Sequence, residues 1–276
     1  MPIADINDHA MYYEIHGSGD PVLCMTGWGT FCHGGEGHLA RGLTDRYSVV
    51  IFDHRGLGES SDNLATPASM KLYAQDAAGL LDHLGFKNVH VVGLVGMGAC
   101  ISQELAIARP DLVRSMTNMG AWCYMDEFLR DQLEMLRTVH RTLGWAAFQQ
   151  LVVLMSFPAD YYEINKNRLL GPAGPWRELY GRYEAHSRLV DACLNHYSID
   201  RLHQIQVPAL IIHAGRDQVT APRMTLPIEQ HIPHARGVLM EDVAHVVCGR
   251  EQRKRFCDIL LGFLDEVDRG AVHRSE

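Results

Sequence analysis

Four short runs of almost wholly apolar residues, PVLCM at 21–25, YSVVIF at 47–52, VHVVGLV at 89–95 and VPALIIHA at 207–214, are each closed by turn residues. Stretches with apolar residues at helical spacing lie between them, notably SMKLYAQDAAGLLDHLG at 69–85. A strand that is apolar on both faces has to be covered on both faces, so this alternation predicts an α/β fold with a mostly parallel central sheet between two helical layers. AMYYEIHG at 10–17 alternates like a further strand, ARGVLM at 235–240 adds another, and RKRFCDILLGFLDEV at 253–267 reads as a closing helix on Phe256, Ile259, Leu260 and Phe263. The last residues, 270–276, read as frayed.

Between 125 and 198 the pattern is helical only, interrupted at Pro158 and at the GPAGP segment 171–175. The expectation is a core in two parts, 1–124 and 199–276, with 125–198 as a helical cap laid over the sheet. A chain of 276 residues that is 47% hydrophobic can bury such a core as one domain with an insertion. A net charge of −8 gives no basic footprint, which speaks against nucleic acid and anionic membranes. No apolar run approaches the roughly 18 residues of a membrane span, and the N-terminal segment has no basic stretch followed by an apolar one. Seven singly scattered cysteines without a CxxC pair suit reduced core thiols and a cytoplasmic setting.

The residues that carry chemistry begin at VVGLVGMGACISQELAIARPDLV, 91–113, a strand, a glycine turn and a helix. Counting back from Pro110 puts Gly96 at the apex of the turn, and counting forward from Gly93 puts Val95 there. The backward count matches more of the helix start and is favoured; neither residue can act as a nucleophile. Glycine accepts the positive φ of such a bend and is expected to leave room there for a water or a substrate atom. Cys100 and Ser102, a turn or more into the helix, read as packing residues.

Four segments in order resemble the α/β-hydrolase superfamily: TGWG at 26–29, DHRGLGES at 53–60, the turn at 93–99, and the pair GRD at 215–217 with AH at 244–245. The resemblance spans about residues 5–268, and within the superfamily the chain is most similar to enol-lactonases and hydrolases of ring-cleavage products. It implies a serine at the turn, which this chain replaces by Gly96. It further implies His245 as catalytic base and Asp217 as the acid that orients it. Oxyanion donors would be the Trp28 and Met97 N–H groups beside Gly27. Asp53, Arg55, Gly56 and Gly58 would build a structural turn.

His33, Trp122, Tyr124, Trp145 and Trp176 are candidate pocket residues, with Phe157, Tyr161 and Tyr162 as further aromatics for a cyclic or aromatic small-molecule substrate. FCHGGEGH at 31–38 matches no zinc signature such as HExxH, so neither metal nor cofactor is expected. A homodimer is left open.

The leading functional expectation is a hydrolase of an ester, enol-lactone or C–C bond next to a carbonyl, working through a His–Asp dyad without a serine. Three alternatives stay open. The same dyad could abstract a proton in a cofactor-free dioxygenase or lyase. The fold could serve binding alone, as the GMGA turn, similar to that of the N-myc downstream-regulated proteins, suggests. Gly96 could also be a serine hydrolase's serine replaced, although Leu94, two residues earlier where a glycine is usual, argues against that.

Overall fold

In the computed structural model, which describes residues 2–271, the apolar runs form the middle of an eight-stranded sheet. Its strands are β1 (Ile3–Ile6), β2 (His9–His16), β3 (Asp20–Met25), β4 (Tyr47–Phe52), β5 (Val89–Gly93), β6 (Val113–Met119), β7 (Ala209–Ala214) and β8 (Ala235–Met240). They lie side by side in the order β1-β2-β4-β3-β5-β6-β7-β8. β1 and β2 are antiparallel additions at one edge, and every pairing from β4 to β8 is parallel. β5 and β7 are buried at every residue, as their composition requires, whereas the edge strand β1 alternates exposed and buried.

Successive strand residues divide between two cores, as the period of two demands. Leu23, Met25, Val91 and Ile211 pack with α1 (Met70–His83), α2 (Met97–Ala108) and α7 (Ala221–His231). Val22, Cys24, Val92, Leu210 and Ile212 pack instead with Phe256, Leu260 and Phe263 of α8 (Arg250–Asp268). All seven cysteines are buried and free. Among the described residues no helix is long and apolar enough to cross a membrane. Residues 272–276 of the stretch read as frayed lie outside the described residues.

The helical segment contains α3 (Glu127–Leu143), α4 (Trp145–Ser156), α5 (Ala159–Leu169) and α6 (Tyr183–Leu194). Asp126 caps α3 by accepting from Leu129 N–H at 2.7 Å, and Pro158 separates α4 from α5. The insertion is tied to the loops at the carboxyl ends of the strands. Arg182 donates to the Gly56 and Gly58 carbonyls at 2.9 Å, Arg188 pairs with Asp62 at 2.8 Å, Gln132 donates to Gln218 O at 2.9 Å, and Val246 N–H donates to Ser156 O at 3.1 Å. These bonds fasten the helical segment to the loops that follow β4, β7 and β8.

Candidate active site

The β5–α2 turn carries two consecutive residues of positive φ, Val95 at 54° and Gly96 at 73°. Gly96, with ψ −97°, is the residue from which α2 starts, in a conformation that glycine alone adopts at little cost. Valine is β-branched and a genuine outlier at positive φ, so the bend stores strain one residue before its apex. The loop after β3 presses on this bend: a β-carbon at Gly27 would lie 2.2 Å from Val95 O, so only glycine lets the two loops meet. Trp28 and Met97 therefore flank the apex from two sides. Neither backbone N–H has a hydrogen-bond partner among the described residues, which for Met97 is expected at the first residue of a helix.

The space beside Gly96 is filled. A β-carbon there would stand 3.1 Å from Cζ3 and 3.7 Å from Cη2 of Trp122, whose indole is buried. The room expected at the bend is thus taken by an aromatic ring, because the loop after β6 turns back across the apex at Gly120 (φ 75°). Of the expected aromatics, Trp122 is thus placed against the turn.

His245, after β8, and Asp217, after β7, meet as the sequence order predicts. Nδ1 of His245 lies 2.9 Å from Oδ2 of Asp217, and both residues are buried. The carboxylate is held from several sides: Val219 and Thr220 N–H donate to Oδ1 at 2.7 and 3.0 Å, and the Thr220 hydroxyl donates to Oδ2 at 2.6 Å. Burial alone would raise the Asp217 pKa. The charge of His245 and these hydrogen bonds outweigh it and hold the group at about 2. Asp217 is ionised at neutral pH, which fixes the proton of a neutral His245 on Nδ1 and leaves Nε2 as acceptor. A β-carbon at Gly120 would lie 3.3 Å from both Gly96 N and His245 Cε1, so the imidazole and the turn are neighbours.

Other expected residues lie elsewhere. His33, with φ 63°, is bound to Asp53 at 2.9 Å, stacks on Tyr12 at 4.7 Å and donates its backbone N–H to Glu14 Oε1 at 2.7 Å. Trp145 donates to Trp176 O at 3.4 Å and packs edge-on to Tyr180, so these two tryptophans pin the insertion to itself. Tyr124 is half-buried at the rim of the first core. Cys100 donates weakly to Trp122 O, and burial pushes its thiol well above the ordinary range. Ser102 donates to Ala99 O and accepts from Asn118. Neither reaches the apex.

Asp53 and Arg55 are structural, as expected. Asp53 accepts from Glu59 N–H, and Arg55 is paired with Asp76. Sequence reading missed Thr220, although the D-x-x-T spacing of 217–220 at a helix start was there to be used. It also missed His186 of α6, which meets the Trp28 indole edge-on at 4.8 Å, and the buried Ser156. A cleft of about 600 Å³ opens between Phe157–Asp160 of the insertion and Arg216 and Gln218, the neighbours of Asp217.

A family model described as alpha/beta hydrolase fold matches residues 20–251. A protein of Azorhizobium caulinodans named "Putative carbamate hydrolase RutD" is 30% identical over 271 residues, 97% of this chain and 100% of its own length. One of the same name from Pseudomonas savastanoi is 28% identical over 85% of this chain and 92% of its own. Among solved structures, the enol-lactonase from Burkholderia xenovorans LB400 superposes with a TM-score of 0.82 at 22% identity, covering 96% of this chain and 100% of that one. The expected likeness to enol-lactonases is therefore one of fold.

Proposed function

The chain belongs to the α/β-hydrolase fold family and is a hydrolase, and from that premise we propose that it hydrolyses a small carbonyl compound by direct attack of water. His245 Nε2 takes a proton from water as the hydroxide adds to the carbonyl carbon. Asp217 stabilises the imidazolium, and the Trp28 and Met97 N–H groups receive the oxyanion. The tetrahedral species then collapses. The bond to the leaving amine or alcohol breaks, and that group takes the proton back from His245. No acyl-enzyme forms, in keeping with Gly96 at the apex of the turn, which offers no nucleophile.

The observation that carries this reading is the 2.9 Å pair of His245 with a clamped, ionised Asp217, next to a turn whose apex has no nucleophile. A fold kept for binding alone has no physical need of an oriented base. Trp122 packed against Gly96 speaks against a serine simply removed from this site. Because relatives named for carbamate hydrolysis match nearly the whole chain, a carbamate is the first substrate to test, ahead of esters and enol-lactones.

The test is turnover of a carbamate panel. His245→Ala is expected to abolish hydrolysis, and Asp217→Asn, which leaves the imidazole in the wrong tautomer, to lower kcat by roughly 10³ to 10⁴-fold. Cys100→Ala keeps the wild-type rate, and no covalent adduct accumulates in a rapid-quench experiment. Undiminished activity in His245→Ala, or a trapped acyl-enzyme, would overturn the mechanism.

A further inference from the structure

Gln103 is wholly buried in α2, where an amide needs partners for two N–H groups and two oxygen lone pairs. It finds all four. Its Nε2 donates to Trp122 O at 3.2 Å and to Asn118 Oδ1 at 3.3 Å, while its Oε1 accepts from the Ser198 hydroxyl at 2.7 Å and faces His196 Nε2 at 3.4 Å. The Trp122 carbonyl can only accept, which fixes the amide's orientation. Burial keeps His196 neutral, pushing it down to about 4, so its one proton sits on Nε2, toward the Gln103 oxygen.

Three segments far apart in the chain meet at this amide: α2, which begins at the Gly96 turn, the loop that leaves β6, and residues 196–198, where the chain returns from the helical insertion. Gly96, Cys100 and Gln103 are spaced by four and three residues, so they share one side of the helix. The loop on that side lies against both parts of the candidate site. A β-carbon at Gly96 would stand 3.1 Å from the Trp122 ring, and one at Gly120 would stand 3.3 Å from both Gly96 N and His245 Cε1. In so close-packed a region a small shift of the loop moves the wall of the turn and the support of the imidazole together.

We propose that Gln103 is a positioning residue, which holds the 120–122 loop so that Trp122 closes the Gly96 apex and His245 keeps its place beside it. The proposal rests on His245 as the base of the hydrolytic reading. Glu104, the next residue, supplies the contrast. It ties the same helix to the same returning segment through Arg201, at 2.8 and 2.6 Å, and its carboxylate has no bond to the 120–122 loop among the described residues.

The test follows two signals of the full-length protein: the Trp122 fluorine resonance after fluorotryptophan labelling, identified by its loss in Trp122→Phe, and the His245 Cε1–H resonance, identified by its loss in His245→Ala. Gln103→Met keeps the length of the side chain and removes all four bonds. It is expected to shift both signals and leave those of Trp145 and Trp176 in place. On any carbamate whose turnover depends on His245, its kcat should fall about 10- to 100-fold with KM within about threefold. Ser198→Ala, which removes only the 2.7 Å bond that orients the amide, should shift the same two signals less, and it carries the test if Gln103→Met does not fold. Glu104→Gln should lower Tm and leave both signals and kcat where they are. Unmoved signals in the Gln103 and Ser198 variants, shifted signals with an unchanged kcat, or the same shifts and loss of kcat in Glu104→Gln would each overturn the proposal. Turnover that ignores His245 would overturn the hydrolytic reading alone, and the two signals, read without substrate, still decide whether Gln103 places the loop.

Discussion

Glycine at position 96 matters for what surrounds it as much as for the hydroxyl it lacks. Its φ of 73° with ψ of −97° costs an ordinary residue about 1–3 kcal/mol, and the Trp122 ring stands 3.1 Å from where a β-carbon would be. Gly96→Ser should therefore lower stability by about 1–3 kcal/mol in urea unfolding, and a fluorophosphonate probe should not label it. Replacing Trp122 by leucine removes one of the two penalties, so the double variant should lose less stability than the sum of the singles. Strictly additive losses would show that the ring does not press on the apex. A hydrogen-bonded serine, histidine and acid also occur together at Ser115, His90 and Asp268, with Ser115 and His90 wholly buried. That line cannot reach a substrate. The proposed mechanism uses instead the His245–Asp217 pair, which lies beside the strained turn.

The fully apolar strands β5 and β7 could be read from their residues, because a strand covered on both faces leaves no room for polar side chains. β6 could not. VRSMTNM has no apolar run, yet Ser115, Thr117 and Asn118 are buried, with His90 and Ser102 as partners for Ser115 and Asn118. Only tertiary structure supplies those partners, so local pattern misjudges the strand. That His245 and Asp217 meet was legible because each follows a strand at a turn, whereas the neighbours of Ser156 and His186 depend on helix packing that no periodicity reveals. The meeting of α2 with β3 rests on one small residue. A β-carbon at Gly98 would lie 2.5 Å from Met25 O and 2.7 Å from Thr26 O. Gly98→Ala should cost about 1–3 kcal/mol and displace the Thr26–Trp28 loop, lowering kcat as well as Tm. Gly262, exposed in α8 with nothing within 4 Å of a β-carbon, is the opposite case, and Gly262→Ala should gain about 0.5–1 kcal/mol. Equal effects at the two sites would refute the close approach.

The molecule as a whole carries an acid sensitivity that is spread over its layers. His9, His54, His90, His140, His186 and His196 are all buried, and burial lowers the pKa of each below its ordinary value, to about 3 for His186 and about 4 for His196. Neighbouring carboxylates pull back part of that shift, Asp76 at His9 and Asp268 at His90 among them. In the unfolded chain each imidazole binds a proton as the pH falls through about 6.5, and in the folded chain it does not. The unfolded state therefore holds more protons below that pH, and folding stability falls as the solution is acidified. Each such histidine takes away up to about 1.4 kcal/mol per pH unit until its folded pKa is reached. Asp217 acts in the same direction but lower down, because its stabilisation holds above about pH 4 and is lost as the pH falls toward 2. A domain stable by roughly 5–15 kcal/mol cannot sustain several such losses together. Urea unfolding at pH 7, 6 and 5 should therefore show a fall of several kcal/mol before the carboxylates titrate. His196→Phe should flatten that slope by about one proton, and a stability that stays level from pH 7 to 5 would show that these imidazoles are protonated inside the fold.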